Sequence, residues 1–145
     1  MKEPFKELAL KVSLRFMAIV KHREFEEYVN AIRSNMLELL AEDRRENFRK
    51  LIVEQLDFGS DPETLAFLAR KTQDTATSVR LACFQKLAKS NTSLTQFNKL
   101  ERQNLVINGL RDYDQLVLET SRVYLIQQFC LLPEHQGRDL AEESI

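Results

Sequence analysis

Apolar residues along this chain recur at steps of three and four, and seven segments carry that helical period. Pro4 is suited to a first helical turn, and Phe5 to Val20 follows with Leu8, Val12, Phe16 and Ile19 on one stripe. Glu24 to Leu40 repeats the pattern through Tyr28, Ile32, Met36 and Leu39, with Glu24, Glu26 and Glu27 placed favourably at a positive helix start. Asp43 is the expected N-cap of a third helix, about Arg44 to Phe58, whose stripe is Phe48, Leu51, Ile52, Gln55 and Leu56 and which Gly59-Ser60 stops. Asp61-Pro62-Glu63 opens a fourth over Glu63 to Lys71. Ser78 to Lys89 carries Val79, Ala82, Cys83 and Leu87. A polar loop over Ser90 to Gln96 leads to Asn98 to Leu110 with Leu105, Val106 and Leu110. Gln115 to Leu132 bears Val117, Tyr124, Leu125 and Phe129, and Pro133 ends it.

Short helices joined by short turns call for a search for an internal period. Asp74 is followed five residues later by Val79, then Arg80, Ala82, Cys83 and Leu87. Asp43 stands in the same relation to Phe48, Arg49, Leu51, Ile52 and Leu56, and Asp112 to Val117, Thr120, Ser121 and Leu125. Phe5-Lys6-x-Leu8-Ala9 is a candidate further copy without its own turn. An Asp closing the first helix of a pair can accept backbone N–H groups and cap the second helix. The bulky residue after it packs on the first helix, the basic residue beside that can pair with an Asp of a neighbouring repeat, and a small residue such as Ala82 permits close approach. This spacing in antiparallel pairs is the pattern of HEAT repeats. The expected architecture is all-α, a right-handed α-solenoid of three to four such pairs over residues 1–132, followed by an acidic tail over 133–145. An orthogonal helical bundle is the alternative.

The stretch Thr72-Gln-Asp-Thr-Ala-Thr-Ser-Val79-Arg80-Leu-Ala82-Cys-Phe-Gln-Lys-Leu87-Ala88, continued by Arg102, Leu105 and Asn108-Gly109-Leu110-Arg111-Asp112, resembles the CAP-G family of condensin subunits. Upstream, Glu42-Asp43, Asn47-Phe48-Arg49 and the Thr64-Leu65 to Arg70 helix are similar to that family's preceding repeat, and Lys2 to Leu14 to the one before. The resemblance spans residues 2 to about 132. It departs where Phe48 and Phe5 replace the usual Val and where Leu118 stands in the place of the repeat Arg. Chains of that family are several times longer, which implies a fragment or a reduced relative, with Phe5 to Val20 the second helix of a pair lacking its first. The resemblance implies a non-enzymatic scaffold subunit, nuclear or chromosomal with a cytoplasmic pool. Such a subunit binds the kleisin subunit of condensin and the phosphate backbone of double-stranded DNA in mitotic chromosome condensation. A generic HEAT-repeat adaptor that contacts protein only is the competing expectation.

Charge changes this picture only when divided by region. The 145 residues sum to −1. Residues 1–23 carry six basic and two acidic side chains, residues 24–69 five and eleven, residues 70–102 seven and two, and residues 103–145 three and seven. Two basic islands therefore sit on repeat helices. Because phosphate affinity scales with the number of charges neutralised on one surface, Lys71, Lys86, Lys89, Lys11 and Arg15 are the candidate DNA contacts. The alternative is that they solvate the outer faces of amphipathic helices. No aromatic is interleaved with them, so single-strand stacking is not expected.

Other chemistry is sparse. His22 and His135 lack neighbours at metal-ligand spacing, and Asp112-x-Asp114 reads as a cap and a turn residue rather than an ion site. Cys83 and Cys130 fall on apolar faces and are expected to be small core residues, in keeping with a reducing compartment. No glycine-rich phosphate loop and no nucleophile–base pair stands out. The expectation is therefore of no catalysis, no cofactor, no metal, no small-molecule substrate and no membrane.

Overall fold

A computed structural model describes residues 3–19 and 26–131, with side chains described over 6–17 and 26–130. The expected acidic tail, 133–145, and both histidines lie outside the described residues. Among the described residues seven α-helices follow one another: α1 (Glu3–Ile19), α2 (Glu26–Glu42), α3 (Glu46–Gln55), α4 (Pro62–Lys71), α5 (Thr77–Ser90), α6 (Lys99–Arg111) and α7 (Gln115–Leu131). A single 3-10 turn, Leu94–Gln96, interrupts the α5–α6 loop, and no strand occurs among the described residues. The fold is all-α. None of these helices is long and apolar enough to cross a membrane.

Local chemistry sets the helix ends. Asp61 caps α4 by accepting the Thr64 amide at 3.2 Å and the Thr64 hydroxyl at 2.8 Å, with Pro62 in the first turn. Asn98 and Glu101 form a reciprocal capping box on α6: the Glu101 amide donates to Asn98 at 2.8 Å, and the Asn98 amide to Glu101 at 2.9 Å. Asp114 Oδ1 accepts the Leu116 and Val117 amides at 3.1 and 3.0 Å and so starts α7. Asn91 closes α5 in the left-handed region at φ 50°.

Two expectations change here. The third helix is shorter than its pattern suggests: α3 stops at Gln55, and Leu56 is already extended. Leu56 and Phe58 are buried all the same, at 1% and 3% exposure, from non-helical backbone rather than from a helical stripe. Asp43 is not the N-cap. Arg45 holds that position, and Asp43 acts one step earlier by accepting the Arg45 amide at 2.8 Å.

The chain divides into two compact units, Met1–Asp57 and Phe58–Ile145. In the first, α1, α2 and α3 all touch one another around Leu10, Leu14, Met36, Leu40, Phe48, Ile52 and Val53. The α1 stripe expected inside is the one left outside: Leu8, Val12 and Phe16 are exposed, while Leu10 and Leu14 enter the core. Both stripes repeat every four residues, so the period alone does not choose between them.

In the second unit, α4 packs on α5 and α6 on α7, while α4 also meets α6 and α5 meets α7. First helices lie beside first helices and second helices beside second. Val79, Cys83, Phe84, Leu87, Leu105, Val117 and Tyr124 fill the space between at 0% exposure. Burial of each such side chain stabilises the fold by roughly 1.5–3 kcal/mol. Gly109 makes the α6–α7 crossing close, since a Cβ there would stand 2.8 Å from Ser121 Cβ and 3.1 Å from Phe84 Cζ.

Candidate functional site

The residues at the internal period do equivalent work. Asp43 accepts the amide of Arg45, Asp74 that of Ala76 and Asp112 that of Asp114, each two residues on and at 2.8–2.9 Å. These are turns built by a short carboxylate on its own backbone. Arg49 Nη1 donates to the Asp43 carbonyl at 2.7 Å, and Arg80 Nη1 to the Asp74 carbonyl at 2.9 Å. Phe48, Val79 and Val117 are buried in their units. At the third copy Leu118 replaces the arginine and the clamp is missing.

Arg80 holds several partners at once. Its Nε lies 2.8 Å from Asp112 Oδ2, its Nη2 reaches Asp112 Oδ1 and Thr77 Oγ1, and its guanidinium lies 5.0 Å from the Tyr113 ring centre. Side-chain exposure is 8% for Arg80 and 6% for Asp112. Burial works against the charged guanidinium, but the hydrogen bonds it donates to Asp112 and Tyr113, with their charges, outweigh it and push the Arg80 pKa up. The hydrogen bond from Arg80, and then that from Thr77, pulls the Tyr113 phenol below its ordinary value. Asp112 thus belongs to a junction between helix pairs.

The candidate DNA contacts do not form one cluster. Lys71 ends α4, is only 17% exposed at its side chain, and lies 3.5 Å from Asp74 Oδ2. Lys86 is half-buried and Lys89 exposed, three residues apart on one face of α5. Roughly 14–18 Å of helix axis separates these two from the start of α5, where Lys71 sits. Two further bases of the same island are occupied at home: Arg80 as above, and Arg102, which donates to the Phe97 carbonyl at 2.8 Å. In the first unit, Lys11 and Arg15 share a groove of about 390 Å³ with Leu8, Val12, Leu14, Leu51 and Gln55. Lys11 Nζ is also 3.2 Å from Glu7 Oε1.

A polar anchor escapes the period. The Tyr124 hydroxyl donates to the Thr92 carbonyl at 2.6 Å, Gln128 Oε1 accepts the Leu94 amide at 3.2 Å, and Gln128 Nε2 donates to Asn91 Oδ1 at 3.0 Å. Together they fasten the Asn91–Leu94 segment to α7. The signal available in the sequence was Gln128 one turn beyond Tyr124, a large polar residue on the apolar stripe of Val117, Tyr124 and Leu125.

The cysteines differ from each other. Cys83 is buried, and desolvation pushes its thiol pKa far up, whereas Cys130 is exposed rather than in the core. Asp112 and Asp114 spend their carboxylates on backbone amides and Arg80, and no cluster of three metal-ligating side chains occurs among the described residues. Comparison with protein-family models, with curated proteins and with solved structures returns no match to this chain.

Proposed function

We propose that this chain is a HEAT-type α-solenoid segment acting as a non-enzymatic scaffold of a condensin-type complex, where it binds the kleisin subunit and the backbone of double-stranded DNA. The observation that carries the solenoid reading is the side-by-side stacking of α4 on α6 and α5 on α7, bridged by Arg80 and Asp112. Stacking of like on like propagates, whereas an orthogonal bundle closes on itself. The condensin assignment rests on the resemblance over residues 2 to about 132, and DNA contact rests on Lys86 and Lys89, three residues apart on one face of α5.

Duplex binding titrated against salt, alone and with a kleisin peptide, tests this reading. Wild type binds with an affinity that falls steeply as salt rises, and Lys86→Glu/Lys89→Glu weakens binding and flattens the slope by about two counterions. No binding at low salt in either sample removes the DNA role.

A protein-only adaptor is the second reading. It is favoured by the engagement of Lys71, Arg80 and Arg102 within their own unit, which thins the basic island. Unchanged chromatin association of the charge-reversed chain selects it.

A further inference from the structure

On α1 an apolar ridge stands out of the first unit. Leu8 and Val12 are 58% and 59% exposed, and helical spacing puts Lys11 and Arg15 within about 100° of arc with them. On α2 of the same unit a groove of about 480 Å³ is lined by Asn35, Glu38, Leu39, Glu42 and Asp43. Its apolar part is Leu39. Asp43 is already held by Arg45 at 2.7 Å, so Glu38 and Glu42 are the carboxylates facing outward.

We propose that the first unit pairs with a second copy of itself across a two-fold axis, the α1 ridge of each copy entering the α2 groove of the other. Charge and spacing match from both sides. Lys11 and Arg15 are four residues apart, as are Glu38 and Glu42, so each pair spans roughly 6 Å of helix axis. Leu8 and Val12 leave water against Leu39, and the cations flank them where the groove rim is acidic. The contact is isologous, so one complementary ridge and groove is used twice. The existing Lys11–Glu7 pair is no obstacle, since both side chains are about half exposed and a surface pair of this kind contributes little.

Sedimentation equilibrium of the full chain tests the pairing, without nucleic acid or kleisin, so its outcome is independent of the scaffold reading. Wild type is a dimer at tens of micromolar in low salt, and its dissociation constant rises as salt screens the rim charges. Lys11→Glu/Arg15→Glu and Glu38→Lys/Glu42→Lys each weaken the dimer by about tenfold or more. An equimolar mixture of the two variants restores a heterodimer, because every reversed ridge then meets a reversed groove or a wild-type ridge a wild-type one. All these positions face solvent, and circular dichroism verifies that the variants keep their helices. A wild type that stays monomeric at low salt overturns the proposal, as do reversed variants that dimerise like wild type or a mixture that stays monomeric.

Discussion

Arg80 and Asp112 stand 32 residues apart in sequence and meet at 2.8 Å, each almost fully withdrawn from water. The pair joins the start of α5 to the turn between α6 and α7, so it locks one helix pair to the next. Removing one partner strands a buried charge, which typically costs about 3–5 kcal/mol. Arg80→Ala and Asp112→Ala are each expected to destabilise the fold by that order in urea unfolding. The double variant is expected to lose far less than the sum, because neither charge is then left alone. Additive losses would mean the two residues act separately.

The α6–α7 crossing makes a second prediction. Gly109 leaves room for Ser121, whose hydroxyl donates to the Gly109 carbonyl at 2.8 Å. Gly109→Ala raises helix propensity but drives a methyl into Ser121 Cβ and Phe84. Overpacking of this kind costs about 1–3 kcal/mol, more than the roughly 1 kcal/mol gained from propensity. A lowered melting temperature is expected, and Ser121→Gly in the same chain is expected to recover part of it. A chain stabilised by Gly109→Ala would show that α6 and α7 sit further apart.

The polar anchor of the α5–α6 loop is tested by Tyr124→Phe. The ring stays in place while the hydroxyl leaves the Thr92 carbonyl without its donor, a loss of about 1–3 kcal/mol. Amide exchange is expected to quicken first over residues 91–97, before the helices change. Uniform acceleration across the second unit would place the effect in the core instead. Burial raises the Tyr124 phenol pKa above its ordinary value, which favours the protonated form that donates to Thr92.

Helices and their order were legible in the chain because turn chemistry and apolar period agree at Asp61-Pro62, whereas the cap of α7 expected at Asp112 falls to Asp114 and Asp112 builds the turn. The Asp–Val–Arg spacing pointed to a basic residue pairing with a neighbouring Asp, and the Arg80–Asp112 pair has that form. Elsewhere the same signals were ambiguous. Leu8-Val12-Phe16 and Leu10-Leu14 offer α1 two stripes of equal period, and the choice depends on α2 and α3, which are remote in sequence. Lys71 counted as a surface charge until the turn brought Asp74 to it. Cys130 shares an apolar helix with Cys83's equivalent but faces outward. Net charge by region located basic islands without distinguishing a lysine spent on its own turn from one left facing water.

Asp43 supplies the pH-dependent prediction. The Arg45 side-chain hydrogen bond holds its carboxyl pKa below the usual carboxylate range against burial, the next largest effect, and the Arg45 amide and the positive charges of Arg45 and Arg49 add smaller pulls in the same downward direction. The folded state therefore takes up this proton at lower pH than the unfolded chain does. Stability from the charge is complete above the unfolded carboxylate pKa, near 3.9, and is lost as pH falls through the folded value. Asp43→Asn keeps an acceptor for the Arg45 amide and removes only the charge, a loss of about 1 kcal/mol at neutral pH. Unfolding free energies of wild type and variant are expected to run parallel above about pH 5 and to converge in more acidic buffer, as wild type becomes neutral at this position too. Curves that stay parallel to the acid limit would mean that Asp43 works through its shape and its backbone contact, and that Arg45 and Arg49 draw nothing from its charge.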